Sequence, residues 1–152
     1  MPEYKGKNST IAKGVNGASK INSGEHVGRV RCLYEEIDLT AQALAAADTI
    51  LVGAPLQGGA RVLEAVIAGP ALGGTSTFNL GWQANLQDVL DDDGFIAGAA
   101  VGAGPTKVVM AAGAPGLGKK FESETQVIVT NSGAVAAGGG KIVKIWLYYV
   151  LD

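Results

Sequence analysis

Two apolar runs between Gly58 and Trp82, GGARVLEAVIAGPALGGTSTFNLGW, constrain the fold more than any other stretch of the chain. Ala60 to Ile67 and Thr75 to Trp82 are separated by Ala68-Gly69-Pro70-Ala71-Leu72-Gly73-Gly74, which is turn chemistry, so the stretch reads as a β-hairpin. In the second run Phe78, Leu80 and Trp82 alternate with Thr77, Asn79 and Gly81. A period of 2 places the three large residues on one face of a half-buried strand. The stretch has no nucleophile, base or metal-ligand cluster, so it points to architecture rather than chemistry.

The remaining apolar runs extend that pattern. Arg29 to Thr40 reads as a strand in which Val30, Cys32 and Tyr34 share one face before Ile37 and Leu39 take over. Such a slip predicts a β-bulge near Glu35-Glu36 and a Cys32 packed as a small hydrophobe. Ala41 to Asp48 has helix-forming residues over about two turns, which is a short helix or an ordered loop. Asp48 to Val52 is a short strand closed by Gly53-Ala54-Pro55, whereas residues 83–105 show no dominant period. Lys107 to Ala111 reads as a short buried strand, and Phe121 to Thr130 as another that ends at the Asn131-Ser132-Gly133 turn. Lys141 to Asp152, KIVKIWLYYVLD, is apolar on both faces, as a central strand must be if it is covered twice, or covered once and joined to a neighbouring subunit.

Glycine at 23 of 152 positions is about double the usual share and clusters between apolar runs, as many tight turns require. With 47% hydrophobic residues the chain can build one core. About eight strands with short Gly/Pro turns predict an all-β protein, a single-domain β-sandwich of jelly-roll type over residues 28–152. Residues 1–27 carry only Ile11, Val15, Ile21 and Val27 as branched aliphatics, without period, and form an extended polar arm. Through Arg29 there are five bases against two acids, a net +3, and the rest has seven bases against twelve acids, a net −5. A basic arm on an acidic body fits partner contacts at Tyr4, Lys5, Lys7, Lys13, Lys20 and Arg29, or else a solvated leader. The N-terminus lacks a signal-peptide core, no window approaches the roughly 18 apolar residues of a spanning helix, and Cys32 has no partner for an internal disulfide.

The motifs that carry chemistry elsewhere fail here. Gly113-Ala114-Pro115-Gly116-Leu117-Gly118-Lys119 matches a phosphate loop, but Lys120 stands where a Ser or Thr must hold magnesium, and the following FESETQVIVT reads as a strand rather than a helix. A Gly-rich hairpin loop is the better reading. Asp91-Asp92-Asp93-Gly94 has clustered carboxylates but not the alternating ligands of a calcium loop, and fits a solvated acidic turn. His26 is the only histidine and lies in the arm, which excludes a multi-His metal site. Glu35 and Glu36 are adjacent on a strand and face opposite ways, so they cannot act as a carboxylate pair. No catalytic residue, cofactor site or metal site is predicted. Trp82, Trp146, Tyr148 and Tyr149 are core aromatics, with some free to face a subunit or a sugar.

Several segments carry a resemblance to a known group: Gly24-Glu25-His26-Val27-Gly28-Arg29-Val30-Arg31 with Leu33-Tyr34-Glu35; Asp48-Thr49-Ile50; Gly58 to Ala65; Asn79-Leu80-Gly81-Trp82; Asp93-Gly94-Phe95-Ile96; and the closing Tyr148-Tyr149-Val150-Leu151-Asp152. From Gly24 onward the chain resembles small virion structural proteins of tailed bacteriophages, the head-decoration or cement proteins. The resemblance implies a non-enzymatic jelly-roll subunit, made in the host cytoplasm, that sits as a homotrimer on the capsid exterior and binds the major capsid protein, without direct contact to nucleic acid or membrane. A tail or fibre module that binds a host receptor or carbohydrate through exposed aromatics and the Asp91-Asp93 loop is the alternative.

Overall fold

The computed structural model describes residues 29–39, 44–73, 75–102, 104–133 and 141–151. Nine strands are formed among them: β1 (Arg31–Asp38), β2 (Thr49–Leu56), β3 (Ala60–Gly69), β4 (Thr77–Trp82), β5 (Asp91–Ala100), β6 (Thr106–Val109), β7 (Lys120–Phe121), β8 (Thr125–Asn131) and β9 (Ile142–Leu151). They build two antiparallel sheets, ordered β1-β9-β3-β6 with β7 beside β3, and β2-β8-β4-β5. Apart from β7 the pairing is nested: β1 with β9, β2 with β8, β3 with β6 and β4 with β5. A long hairpin folded over so that successive pairs fall in alternate sheets has this order, which is the jelly roll that the strand pattern predicts.

The core lies between the sheets. Val62, Ala65 and Ile67 of β3, Val143, Ile145 and Leu147 of β9 and Phe78 and Leu80 of β4 are fully enclosed. Each such branched or aromatic side chain contributes roughly 1.5–3 kcal/mol through removal from water. β9 is central, hydrogen-bonded to β1 on one side and β3 on the other, as its two-sided apolarity predicts.

The structure corrects several local expectations. Gly58 to Trp82 holds two strands, but they are not a hairpin: β3 pairs with β6, β7 and β9, and β4 with β5 and β8 in the opposite sheet. The Gly/Pro segment between them carries the chain across the sandwich instead of turning it within one sheet. β1 has no bulge, because its register against β9 runs unbroken from Arg31↔Tyr149 to Asp38↔Ile142. Leu33, Ile37 and Leu39 point toward the core throughout, while Cys32 and Tyr34 are exposed on the outer face. The apparent slip arises because both faces of β1 carry apolar residues. Cys32 is therefore not a core residue.

The bulge lies instead in β3, where Val62 pairs with Tyr149 and Glu64 with Tyr148, leaving Leu63 as the extra residue. Residues 41–43 of the expected helix lie outside the described residues, and Ala45 to Asp48 form a turn with Ala47 at φ 70°. The buried Asn131 side chain donates to the carbonyls of Leu44 and Ala45 at 3.0 Å and anchors that turn. β2 does not stop at Val52 but continues to Leu56, with a register break between the two. β5 occupies ten residues where no period is visible, and β6 is a sheet edge with Lys107 and Val109 exposed rather than a buried strand. Glu122-Ser123-Glu124 divides the expected Phe121–Thr130 strand into β7 and β8.

Candidate assembly surface

The predicted arm contacts fall almost wholly outside the described residues: Tyr4, Lys5, Lys7, Lys13 and Lys20 all precede residue 29, as does His26. Arg29 is described and exposed, two residues before β1 begins.

The phosphate-loop lookalike serves the core. Lys119 Nζ lies 2.6 Å from Asp88 Oδ1 and 5.2 Å from the ring centres of both Trp82 and Phe121. This lysine is tied to a carboxylate and spread over two aromatic faces. Phe121 follows as strand β7, so no helix begins where a phosphate loop needs one. Asp91, Asp92 and Asp93 open strand β5, and Asn79 Nδ2 donates to Asp92 Oδ2 at 3.0 Å. Partial burial, a hydrogen bond with Asp91 and the charges of Asp91 and Asp92 hold the Asp93 carboxyl above its ordinary range. Among the described residues no three His, Cys, Asp or Glu side chains form a metal-binding group.

Glu35 and Glu36 do face opposite ways. Glu35 Oε2 accepts from the Gly53 amide at 3.0 Å and so joins the edges of the two sheets. Glu36 accepts from the Tyr34 hydroxyl and lies 3.5 Å from Lys144 Nζ. The Tyr34 hydrogen bond, supported by Lys144, lowers the Glu36 carboxyl, and the same bond raises the Tyr34 phenol.

The two outer faces of the sandwich differ. On the β2-β8-β4-β5 sheet polar groups bond to one another: Thr49 to Thr130 at 3.4 Å, Thr77 to Ser132 at 3.1 Å and Ser132 to Asn79 at 3.1 Å. Leu51 and Ile128 interrupt them. On the β1-β9-β3-β6 sheet the register aligns Tyr34, Trp146, Val66 and Val109 in one row across all four strands. Tyr34 and Val109 are each 45% exposed, and the Tyr34 and Trp146 rings lie 5.5 Å apart. Leu63, displaced outward by the bulge, and Tyr148 adjoin the row and help line a groove of about 550 Å³. Val66 within the row is only 5% exposed, so the open part of the row is at its Tyr34 and Val109 ends. An antiparallel sheet that faces water on its outer side is usually polar there, and such a row is a feature of that face. The sequence reading grouped Trp82, Trp146, Tyr148 and Tyr149 as core aromatics of which some could face outward, without separating them; Trp146 and Tyr148 lie on the outer face, and the complete row required the register of four strands distant in sequence.

These features define a jelly-roll β-sandwich whose two outer faces differ, one of them crossed by an apolar row, and its structural neighbours are chains of phage capsids. The fold is similar to a chain in the capsid of Ralstonia phage GP4, with a TM-score of 0.68 and 25% identity over 93% of this chain and 94% of that one. It is also similar to a chain of the cyanophage Pam1 capsid asymmetric unit, with a TM-score of 0.67 and 19% identity over the whole of both chains. No family model matches the sequence, and no curated protein does.

Proposed function

We propose that this chain is a non-enzymatic structural protein of a tailed-phage virion that decorates and stabilises the exterior of the capsid, binding the major capsid protein as a trimer. The observation that carries the reading is the likeness to a chain of the Ralstonia phage GP4 capsid over nearly the full length of both. The physical design is coherent with it. A basic arm that orders only on docking can wrap an acidic shell surface, and symmetric copies turn a weak contact into a strong one by raising effective concentration. Arg29 marks where the arm departs, and Tyr4, Lys5, Lys7, Lys13 and Lys20 are the residues along it that meet the shell.

Purified expanded heads mixed with full-length protein or protein lacking residues 1–27 provide the test, with bound copies counted by quantitative gel and located by electron microscopy. The full chain is expected to coat the shell at a fixed ratio to the major capsid protein, and the truncated protein to remain folded but unbound. Undiminished coating by the truncated protein would remove the arm from the contact. Density for the chain on the tail instead of the head would overturn the capsid assignment.

A further inference from the structure

We propose that the outer face of the β1-β9-β3-β6 sheet pairs with the same face of a second copy of this chain across a two-fold axis. The inference concerns copy-to-copy contact and does not depend on where the virion carries the chain. Three parallel rows on this face carry it. The central row is Tyr34, Trp146, Val66 and Val109. One row to the side holds Glu36, Lys144, Ala68 and Lys107 in the same strand order, with two lysines against one acid. The row on the other side holds Cys32, Tyr148 and Glu64, with Leu63 pushed out beside Glu64. An apolar centre is thus flanked by a net positive row and a negative one.

A two-fold axis running along the apolar row lays each strand over its own copy in the reverse direction. The central rows then meet each other, and the positive row of each copy meets the negative row of the other. Glu64 falls over the partner's Ala68, whose small side chain leaves room, and between the partner's Lys144 and Lys107, about one strand spacing of ~4.8 Å to either side. Glu64 and Lys107 make no ion pair or side-chain hydrogen bond with the described residues, so both are available for this contact. Sheets packed face to face sit about 10 Å apart, the spacing that interdigitated Trp, Tyr and Leu side chains fill. A self-complementary patch of this kind is an isologous interface, and it adds to a three-fold assembly by joining one trimer to the next.

Sedimentation of the full chain over a range of concentrations tests the proposal. The wild-type protein is expected to show reversible doubling of its smallest species. Val109→Lys, at an exposed edge position, is expected to weaken doubling at least tenfold with an unchanged circular dichroism spectrum. Glu64→Lys and Lys107→Glu should each weaken it several-fold, and the double variant Glu64→Lys/Lys107→Glu should recover most of the loss. That recovery belongs to the reciprocal geometry alone. Absence of doubling in the wild-type protein, as when the chain's own residues 1–28 cover the face, overturns the proposal. So does failure of the double variant to recover, or a Val109→Lys protein that doubles normally but no longer coats heads, which would assign the face to the shell protein.

Discussion

At the scale of single residues the core is arranged around three aromatic rings. Trp82 meets Phe95 at 5.0 Å and Phe121 at 5.3 Å between ring centres, both edge to face, and its indole Nε1 donates to the Val89 carbonyl at 3.0 Å. Gly94 and Gly116 make room for this cluster, since a Cβ at either position would come within 2.2 Å of the Trp82 or Phe95 ring. Gly94→Ala is therefore expected to lower stability by about 1–3 kcal/mol, the cost of overpacking, as measured by urea denaturation. Asp93 gives a prediction in the other direction. Its carboxyl is held above the usual range, so its ionised form is less favourable in the folded chain than in the unfolded one, and stability is lost as pH rises through the folded value. Asp93→Asn should raise the melting temperature at pH 7 and leave it unchanged near pH 3; a lower melting temperature at pH 7 would refute this. The inward direction of Trp82 was legible from alternation with Asn79 and Gly81. The role of Lys119 was not, because Asp88 lies 31 positions earlier and is brought to it by folding.

At the scale of elements, alternation located strands well and strand ends poorly. β9 was legible because seven of its ten residues are β-branched or aromatic and leave little choice of secondary structure. Its Ile145 is fully enclosed, and Ile145→Ala should cost about 2–5 kcal/mol in denaturant unfolding, with a midpoint near that of wild type ruling out a central β9. β5 was not legible, since it opens on three aspartates and a glycine that disfavour strands, and only pairing with β4 imposes the extended form. The bulge in β3 also escaped, as it inserts Leu63 beside Glu64 on the outer face without breaking the apolar run. Deletion of Leu63 should be tolerated, because Val62, Ala65 and Ile67 then alternate without interruption against β9. Deletion of Val66 turns part of β3 to the wrong face and should abolish cooperative thermal unfolding. If both deletions behave alike, the bulge does not set the register.

At the scale of the whole molecule, stability depends on pairs far apart in the chain, with Arg31 opposite Tyr149 and Thr49 opposite Thr130. Removal of residues 142–152 takes away the partner of both β1 and β3 and should leave a chain without a cooperative melt, whereas removal of residues 1–27 should leave the melt of the body intact. Thermal scans of the two truncations make the comparison. The amino-acid sequence by itself pointed to an all-β sandwich, located most of its strands with β5 the exception, and showed glycine-rich turns rather than reactive groups between them. Side-chain alternation and turn chemistry are local properties, and they are written in neighbouring residues. Only the tertiary structure decided which strand pairs with which, that β3 and β4 part company into opposite sheets, and that the apolar residues of β1, β3, β6 and β9 form one row on the outside. The physical reason is that strand pairing uses backbone groups common to every residue, so partners are selected by global closure of the core and leave no mark in either strand alone.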